Sequence, residues 1–202
     1  MKDFIIIGNG NAVTYKEIFP LIKENKMWVG AGKGMGGKAM EFVVDASIYD
    51  TNKGSVNRIE NGKCYVGVMM CTWFTNVEHT KRNTPLDLYK KYNAEEYPKY
   101  DNYDAIEVSR VENIPMDYDG IMGVPISFLD KYCPEQFEIL GMCENLDLYG
   151  LKTKVYTTEE CRKAYFDKFG KKGTYDLNAS GVIIQDAHYE KVYQRILIRK
   201  IL

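Results

Sequence analysis

A short apolar run near the N-terminus places the strongest constraint on the fold. Residues 4–7 read Phe-Ile-Ile-Ile and are followed by the turn-forming sequence Gly8-Asn9-Gly10-Asn11. A continuous run of aromatic and β-branched residues, without alternating polar positions, is typical of a strand that is buried on both faces of a parallel sheet. Because such a strand needs neighbours on both sides, we expect an α/β sheet in this part of the chain.

The residues that follow predict one helix and two more strands. Thr14 and Glu17 have the Thr-x-x-Glu spacing of a capping box, which predicts a helix from Thr14 to about residue 25. The apolar runs Met27–Gly30 and Met40–Val44 predict strands. We therefore predict that residues 1–48 form one α/β region.

Residues 49–202 predict a mixed α+β region. A polar surface loop over 46–62 is expected to end in a hairpin-like turn at Asn61-Gly62 and to lead into a strand over Lys63–Phe74. Two helices are predicted, a short one from Pro85 to about Tyr92 and one from Thr157 to Gly170 with a second capping box. A C-terminal hairpin is predicted with the arms Val182–Ile184 and Lys191–Leu202.

The charge balance and the lengths of the apolar runs exclude several classes of protein. Lys and Arg number 27 and Asp and Glu 28, so any contact with nucleic acid would need a local basic patch. The longest apolar stretch, Val66–Phe74, has about nine residues, and a membrane helix needs about 20. Four apolar residues before Asn9 are too few for the core of a secretory signal. We therefore expect a cytoplasmic protein without a membrane span.

The cysteines predict neither disulfides nor a metal site. The chain has five cysteines, an odd number, with no CxxC pair and only two histidines. Free cysteine commonly behaves as a small buried apolar residue. The sequence therefore predicts reduced, structural thiols.

A glycine-rich segment follows the second predicted strand and leaves three interpretations open. Gly32, Gly34 and Gly37 satisfy GxGxxG, and the same segment with Lys38 satisfies GxxxxGK. Ala39 stands where a phosphate-binding loop needs Ser or Thr, and the next residues predict a strand where both motifs need a helix. The segment is a flexible or hairpin loop, a nucleotide cradle, or a loop that contacts a polyanion through Lys33 and Lys38.

A second cluster combines aromatic, amide and basic side chains. Thr72-Trp73-Phe74-Thr75-Asn76 ends the predicted strand over Lys63–Phe74, and His79, Lys81, Arg82 and Asn83 follow. Aromatic rings stack on unpaired bases, and cations and amides bind phosphates and base edges. The alternative is that Trp73 and Phe74 belong to the core and that the charges form a solvated loop.

Segments spread over most of the chain, in a constant order, carry a family resemblance. They are Phe4–Leu21, Thr72–Asn76, Tyr97–Ile106, Tyr118–Ile126 and Arg195–Arg199. Together they resemble the EcoRI-type adenine-specific DNA methyltransferases. The resemblance implies a Rossmann-like catalytic sheet that binds S-adenosylmethionine, a target-recognition region, and transfer of a methyl group to the exocyclic amine of an adenine flipped out of duplex DNA.

One departure from the family pattern affects the chemistry itself. Members carry a methyl-donor motif and an Asn-Pro-Pro-Phe type tetrapeptide upstream of the strand that corresponds to Phe4–Ile7. The six prolines of this sequence are never adjacent, so no such tetrapeptide occurs in it. The resemblance therefore implies a C-terminal portion of a restriction-modification methyltransferase, with the tail of the catalytic sheet in 1–48 and target recognition in 49–202. We expect no catalytic residue in this chain and no activity unless another chain supplies the missing part.

The resemblance also implies roles for individual residues. Trp73, Phe74, Thr75, Asn76, Lys81 and Arg82 are expected to contact bases or backbone of duplex DNA, and Asn9 and Asn11 are expected to border the adenine pocket. Two other hypotheses stay open. The chain is a non-catalytic DNA-binding or interaction remnant, or it is a small nucleotide-binding enzyme that uses residues 32–38.

Overall fold

A computed structural model describes residues 2–31, 39–50, 52 and 56–201. The fold is mixed α/β, with mostly sheet and few helices. The chain divides into two compact units, Met1–Thr84 with Leu129–Lys131, and Pro85–Phe128 with Tyr132–Leu202. The predicted boundary after residue 48 therefore lies inside the first unit. The glycine-rich segment 32–38 lies outside the described residues.

The first unit contains two small antiparallel sheets. Its elements are β1 (Ile5–Asn9), α1 (Phe19–Lys23), β2 (Trp28–Val29), β3 (Met40–Asp45), β4 (Val56–Glu60), β5 (Lys63–Val68) and β6 (Cys71–Thr75). One sheet has the order β1-β6-β2 and the other the order β3-β5-β4. The central strand β6 pairs antiparallel with both neighbours, so each side chain on β6 shares a face with residues of β1 and β2.

The prediction of a doubly buried parallel strand at the start of the chain is wrong for this structure. Strand β1 is antiparallel to β6 and lies at the edge of its sheet. The side chains of Ile5, Ile6 and Ile7 are 64%, 52% and 45% exposed. The apolar sequence shows that both faces of this strand could be buried. Among the described residues, however, no strand pairs with the outer edge of β1.

The predicted helix from Thr14 is also absent over most of its length. Residues 10–14 form a 3₁₀ turn, and α1 begins only at Phe19. The Thr14 hydroxyl donates back to the carbonyl of Asn11 and does not cap a helix. Pro20 lies in the first turn of α1, where its missing N–H costs nothing. A local hydrogen bond of the threonine thus competes with the capping box.

The hairpin turn at Asn61-Gly62 is confirmed, but its neighbourhood differs from the prediction. Both turn residues have positive φ, at 49° and 73°, as a tight hairpin turn requires. The preceding residues form strand β4 where a loop was expected. The predicted strand over Lys63–Phe74 divides into β5 and β6, with Met70 at a φ of 54° between them.

The second unit is built on a four-stranded mixed sheet. Its elements are β7 (Ala105–Glu107), β8 (Ile121–Pro125), β9 (Phe137–Met142), α2 (Thr158–Phe169), β10 (Val182–Gln185), β11 (His188–Lys191) and β12 (Arg195–Lys200). The sheet order is β7-β8-β12-β9, with β7 and β8 parallel. The hairpin near the C-terminus pairs β10 with β11, whereas β12 lies in the middle of the larger sheet. The prediction that the second hairpin arm continues through residue 202 is therefore wrong.

Of the two helices predicted in this unit, one is present and the other is absent. Helix α2 is confirmed, with the Thr157–Glu160 capping box closed and Gly170 in the left-handed conformation at its C-terminal cap. No helix follows Pro85. The Gln136 side chain accepts from the Leu86 N–H at 2.7 Å and donates to its carbonyl at 2.8 Å, which holds that backbone extended.

The five cysteines are free in this structure, and all of them are buried, as the sequence predicted. The described residues contain no group of three or more His, Cys, Asp or Glu side chains that could hold a metal ion. None of the helices among the described residues is long and apolar enough to cross a bilayer.

Candidate nucleic-acid interface

The aromatic segment of the predicted site occupies β6, the central strand of the first sheet. Alternate side chains of this strand point to opposite faces. Trp73 and Thr75 share a face with Ile5 and Ile7 of β1, whereas Phe74 lies on the other face. The strand therefore separates the two aromatic rings that the sequence had grouped together.

Trp73 is the aromatic residue that remains accessible. It is partly exposed and lines a groove of about 330 Å³ together with Ile5, Gly30, Ala31, Thr75, Val77, Glu78 and His79. The Gly30 N–H donates to the Trp73 carbonyl at 2.8 Å. A Cβ at position 30 would lie 2.8 Å from the Trp73 Cβ, so this close approach requires glycine. The groove thus presents a partly exposed indole beside an apolar edge strand.

Phe74 belongs to the core. Its side chain is 5% exposed, and its ring lies so close to Gly8 that a Cβ there would be 3.1 Å away. A ring in this position has no free face for a base. Of the two aromatic residues that the sequence singled out, only Trp73 is therefore placed for stacking.

Thr75 and Asn76 use their polar atoms within the fold. The Thr75 hydroxyl donates to the Phe4 carbonyl at 2.7 Å and accepts from the Val77 N–H. The side-chain oxygen Oδ1 of Asn76 accepts from the Phe4 N–H at 2.9 Å, and the side-chain nitrogen Nδ2 donates to the Lys2 carbonyl. Both side chains therefore hold the segment before β1 against β6.

Arg82 is a buried structural cation. Its side chain is 9% exposed, it donates to Glu78 Oε1 at 3.0 Å and to Asn25 Oδ1 at 2.9 Å, and its guanidinium lies over the Trp28 ring. The Arg82 Nε atom is the one buried side-chain nitrogen or oxygen that lacks a hydrogen-bond partner in the part of the chain that the structure describes. The neighbouring Lys81 is more accessible, with one third of its side chain exposed, and pairs with Asp130 at 2.8 Å.

Asn9 and Asn11 are exposed at the end of β1. The Asn9 side chain accepts from the Asn11 N–H at 2.8 Å and caps the 3₁₀ turn. The amide nitrogen of Asn9 and the whole side chain of Asn11 have no hydrogen-bond partner among the described residues. Both residues are therefore accessible at one end of the strand, as a role beside a base would require.

Sequence reasoning missed the buried polar cluster of the second unit. Arg195 donates two hydrogen bonds to Glu107 Oε1, at 2.6 and 3.0 Å, and the Tyr100 hydroxyl donates to Glu107 Oε2. Burial raises the pKa of Tyr100 well above its ordinary value, and the charge of Glu107 adds to this effect. No short-range signal identifies a pair that is 88 residues apart in sequence. The cluster joins β7 to β12 and is closed to solvent.

The first-unit groove does not fit a methyl donor. S-Adenosylmethionine carries a ribose and a charged amino-acid group, and both need free polar partners. Glu78 is engaged by Arg82, and both ring nitrogens of His79 are engaged, by the Val29 carbonyl and the Arg82 N–H. This groove therefore offers no free polar partners for the ribose and the amino-acid group of the cofactor.

Comparison with known proteins supplies the biochemical context. A sequence profile described as adenine-specific methyltransferase EcoRI matches residues 1–201. The chain belongs to this EcoRI-type methyltransferase family. It is 45% identical over 149 residues to the type II methyltransferase M.EcoRI of Escherichia coli, a match that covers 72% of this chain and 44% of the relative.

Two mycoplasma relatives give similar values. The type II methyltransferases M.MgeORF184P of Mycoplasma genitalium and M.MpnI of Mycoplasma pneumoniae are 39% and 37% identical over 160 residues. Each match covers 77% of this chain, and 50% and 49% of the respective relative. The chain thus spans about half the length of the curated relatives it matches. No solved structure matches it.

Proposed function

We propose that this chain is the DNA-recognising portion of an S-adenosylmethionine-dependent, adenine-specific DNA methyltransferase of the restriction-modification type. Membership of the EcoRI-type family supports the substrate class. The absence of adjacent prolines from the sequence supports the second part of the proposal, that the methyl-donor site and the catalytic tetrapeptide lie outside these 202 residues. The chain alone then binds DNA without methylating it.

The observation that carries this proposal is the open apolar edge of β1. Three consecutive isoleucines, Ile5 to Ile7, are about half exposed or more, although the strand is paired on its other side. An edge strand of this kind is a template for addition of another strand, and proteins usually protect it with charge or proline. Because the curated relatives are about twice as long as the matched region, the proposed occupant is a strand from their remaining part. Such an addition would extend the sheet as a Rossmann-like catalytic domain requires.

The recognition role rests on the neighbourhood of that edge. Trp73 lines the groove beside Ile5, and Asn9 and Asn11 are exposed at the other end of β1. In the complete enzyme we place Asn9 and Asn11 at the border of the adenine pocket and Trp73 against an unstacked base. Lys81 retains enough exposure to reach a phosphate, while Phe74, Thr75, Asn76 and Arg82 support the site from within the fold.

Methyl transfer with labelled S-adenosylmethionine and adenine-containing duplex DNA tests this proposal. The chain is assayed alone and after mixing with a separately expressed polypeptide that corresponds to the unmatched part of the relatives. We expect label in DNA only in the mixture. Transfer by the chain alone would contradict the assignment of catalysis to residues outside this chain.

A second candidate is a DNA-binding remnant that occupies sites without modifying them. The second unit favours it, because that unit has its own sheet and its own buried ion pair, both formed within the described residues. This candidate predicts salt-sensitive DNA binding and no methylation in any mixture. Restored methyl transfer in the mixture excludes it.

A further inference from the structure

The charges around helix α2 are segregated along the chain. Glu159 and Glu160 occupy the first turn, whereas five cations and one carboxylate lie between residues 162 and 172. The whole protein has a net charge of −1, so this stretch is a local exception. Local excess of this kind is what a nearly neutral protein needs to bind a polyanion.

Only part of this charge is neutralised within the fold. Lys163 pairs with Asp167 at 2.5 Å, and Lys168 pairs with Glu190. Arg162, Lys171 and Lys172 are exposed and form no ion pair with any described residue. Three cations therefore remain available to an external anion.

Apolar aromatic surface lies among these cations. Phe166 and Phe169 are 56% and 47% exposed, although both belong to a helix with a buried side available. Phe166 lies one helical turn after Arg162 and lines a shallow groove of about 770 Å³ with Arg162, Lys163, Lys172, Gly173 and Thr174. An exposed ring between cations matches the alternation of sugar and phosphate along a nucleic-acid backbone.

The helix dipole accounts for only part of the pattern. Cations in the last turn stabilise a helix C-terminus, which explains Lys168. Arg162 lies in the second turn, where the dipole gives no such advantage, and the dipole offers no reason for exposing Phe166. A ligand that carries both negative charge and apolar surface accounts for both residues.

We propose that the surface formed by Arg162, Phe166, Lys171 and Lys172, here called the α2 basic surface, binds the backbone of duplex DNA. The three cations contact successive phosphates, and the Phe166 ring packs against deoxyribose. These contacts carry no sequence information and position the second unit on the duplex. The inference rests on the proposed role of this chain in DNA recognition.

Salt-dependent binding of a fluorescent duplex to the full chain tests the α2 basic surface. The triple variant Arg162→Gln, Lys171→Gln, Lys172→Gln is compared with a control of equal charge change in the same unit, Lys91→Gln, Lys99→Gln, Arg110→Gln. We expect the triple variant to lower the slope of log Kd against log salt by about 3, roughly one per lost phosphate contact, with affinity at low salt weakened by roughly tenfold or more. The control should retain both values.

The Phe166→Ala variant separates the apolar contact from the ionic ones. We expect weaker binding with an unchanged salt slope, because no phosphate contact is lost. Unchanged affinity would overturn the role assigned to the ring. Since the substituted side chains are exposed, circular dichroism should show wild-type folding for every variant.

The possible outcomes distinguish this inference from the proposed function. If the chain binds DNA and the triple variant behaves as wild type, or the control loses as much, the α2 basic surface is overturned and DNA recognition by the chain stands. If the wild-type chain binds no duplex even at low salt, the recognition role is overturned and this surface with it.

Discussion

The guanidinium carbon of Arg82 lies 3.9 Å from the centre of the Trp28 ring. The same side chain bridges Glu78, four residues earlier, and Asn25, 57 residues earlier in the sequence. A cation held by stacking and by hydrogen bonds on two sides is fixed in the fold. Arg82 therefore connects the loop after α1 to the segment after β6.

Arg82→Ala should lower the stability of the protein and should not remove a direct DNA contact, because the Arg82 side chain is buried. Removing this buried, stacked cation takes away its hydrogen bonds to Glu78 and Asn25 and its contact with the Trp28 ring, and we expect a loss of about 1–3 kcal/mol in the free energy of unfolding. Lys81→Ala is the matched control and should cost less than about 1 kcal/mol, because its ion pair is partly exposed. Urea unfolding measures both. Equal stability of the two variants would contradict the structural role of Arg82.

Trp73 and Phe74 should respond differently to substitution by leucine. Trp73→Leu keeps an apolar side chain in the groove but removes a stacking surface, so we expect affinity for a duplex with one unpaired adenine to fall by about 1–3 kcal/mol. Phe74→Leu should leave affinity intact and lower stability by about 1–2 kcal/mol, because the buried ring fills the core over Gly8. Anisotropy titration and urea unfolding give the two quantities. Loss of affinity confined to the Phe74 variant would reverse the assignment.

Ile6→Lys should abolish methyl transfer in the two-polypeptide mixture without destabilising the isolated chain. Because Ile6 is 52% exposed, the substitution should change the stability of the isolated chain by about 0.5 kcal/mol or less. A lysine on an edge strand opposes the addition of another strand, so methyl transfer in the two-polypeptide mixture should be lost. The control is Val43→Lys, an exposed apolar residue on β3 in the other sheet. If both variants restore activity equally well, β1 is not the joining edge.

The Asp101 carboxyl should stabilise the fold only when it is ionised. Burial alone would raise the pKa of Asp101, but hydrogen bonds from Lys154 and Tyr156 outweigh it and hold that pKa below its ordinary value of 3.8. A carboxyl whose pKa is lower in the folded state stabilises the fold when ionised, and this contribution is lost as the pH falls through the folded pKa.

We therefore expect the wild-type free energy of unfolding to fall between about pH 5 and pH 2, and to fall less steeply in Asp101→Asn. Tyr156→Phe removes one of the two donors and should give an intermediate slope. Urea unfolding over this pH range measures the effect. Identical acid limbs for wild type and Asp101→Asn would show that the ion pair with Lys154 has no net effect.

Local signals predicted the elements that local interactions decide. The capping box at Thr157, the left-handed Gly170 and the Asn61-Gly62 turn are each complete within a few residues, and all three are confirmed. The helix expected at Pro85 failed because Gln136, about 50 residues away, binds the backbone of Leu86. The residues around Pro85 do not show that a distant side-chain amide will bind this backbone in place of the helical hydrogen bonds.

The candidate site was predictable as a segment but not as a surface. The sequence grouped aromatic, amide and basic residues in one segment, which the structure places on β6 and directly after it. It did not show that the pleat would bury Phe74 while leaving Trp73 in the groove, or that Asn25 and Trp28 would enclose Arg82. These outcomes depend on strand partners and on the register of β1 against β6.

The position of β12 has a consequence for how the protein is made. This strand lies between β8 and β9, and its Arg195 supplies the partner of Glu107, 88 residues earlier. At about 5–20 residues per second, a ribosome needs roughly 4–18 s to extend the chain between these two residues. Once β9 has been synthesised and until β12 follows, β8 and β9 lack the strand that joins them, and Glu107 lacks the cation with which it pairs. The sheet of the second unit is thus complete only after β12 has been synthesised and has inserted between β8 and β9.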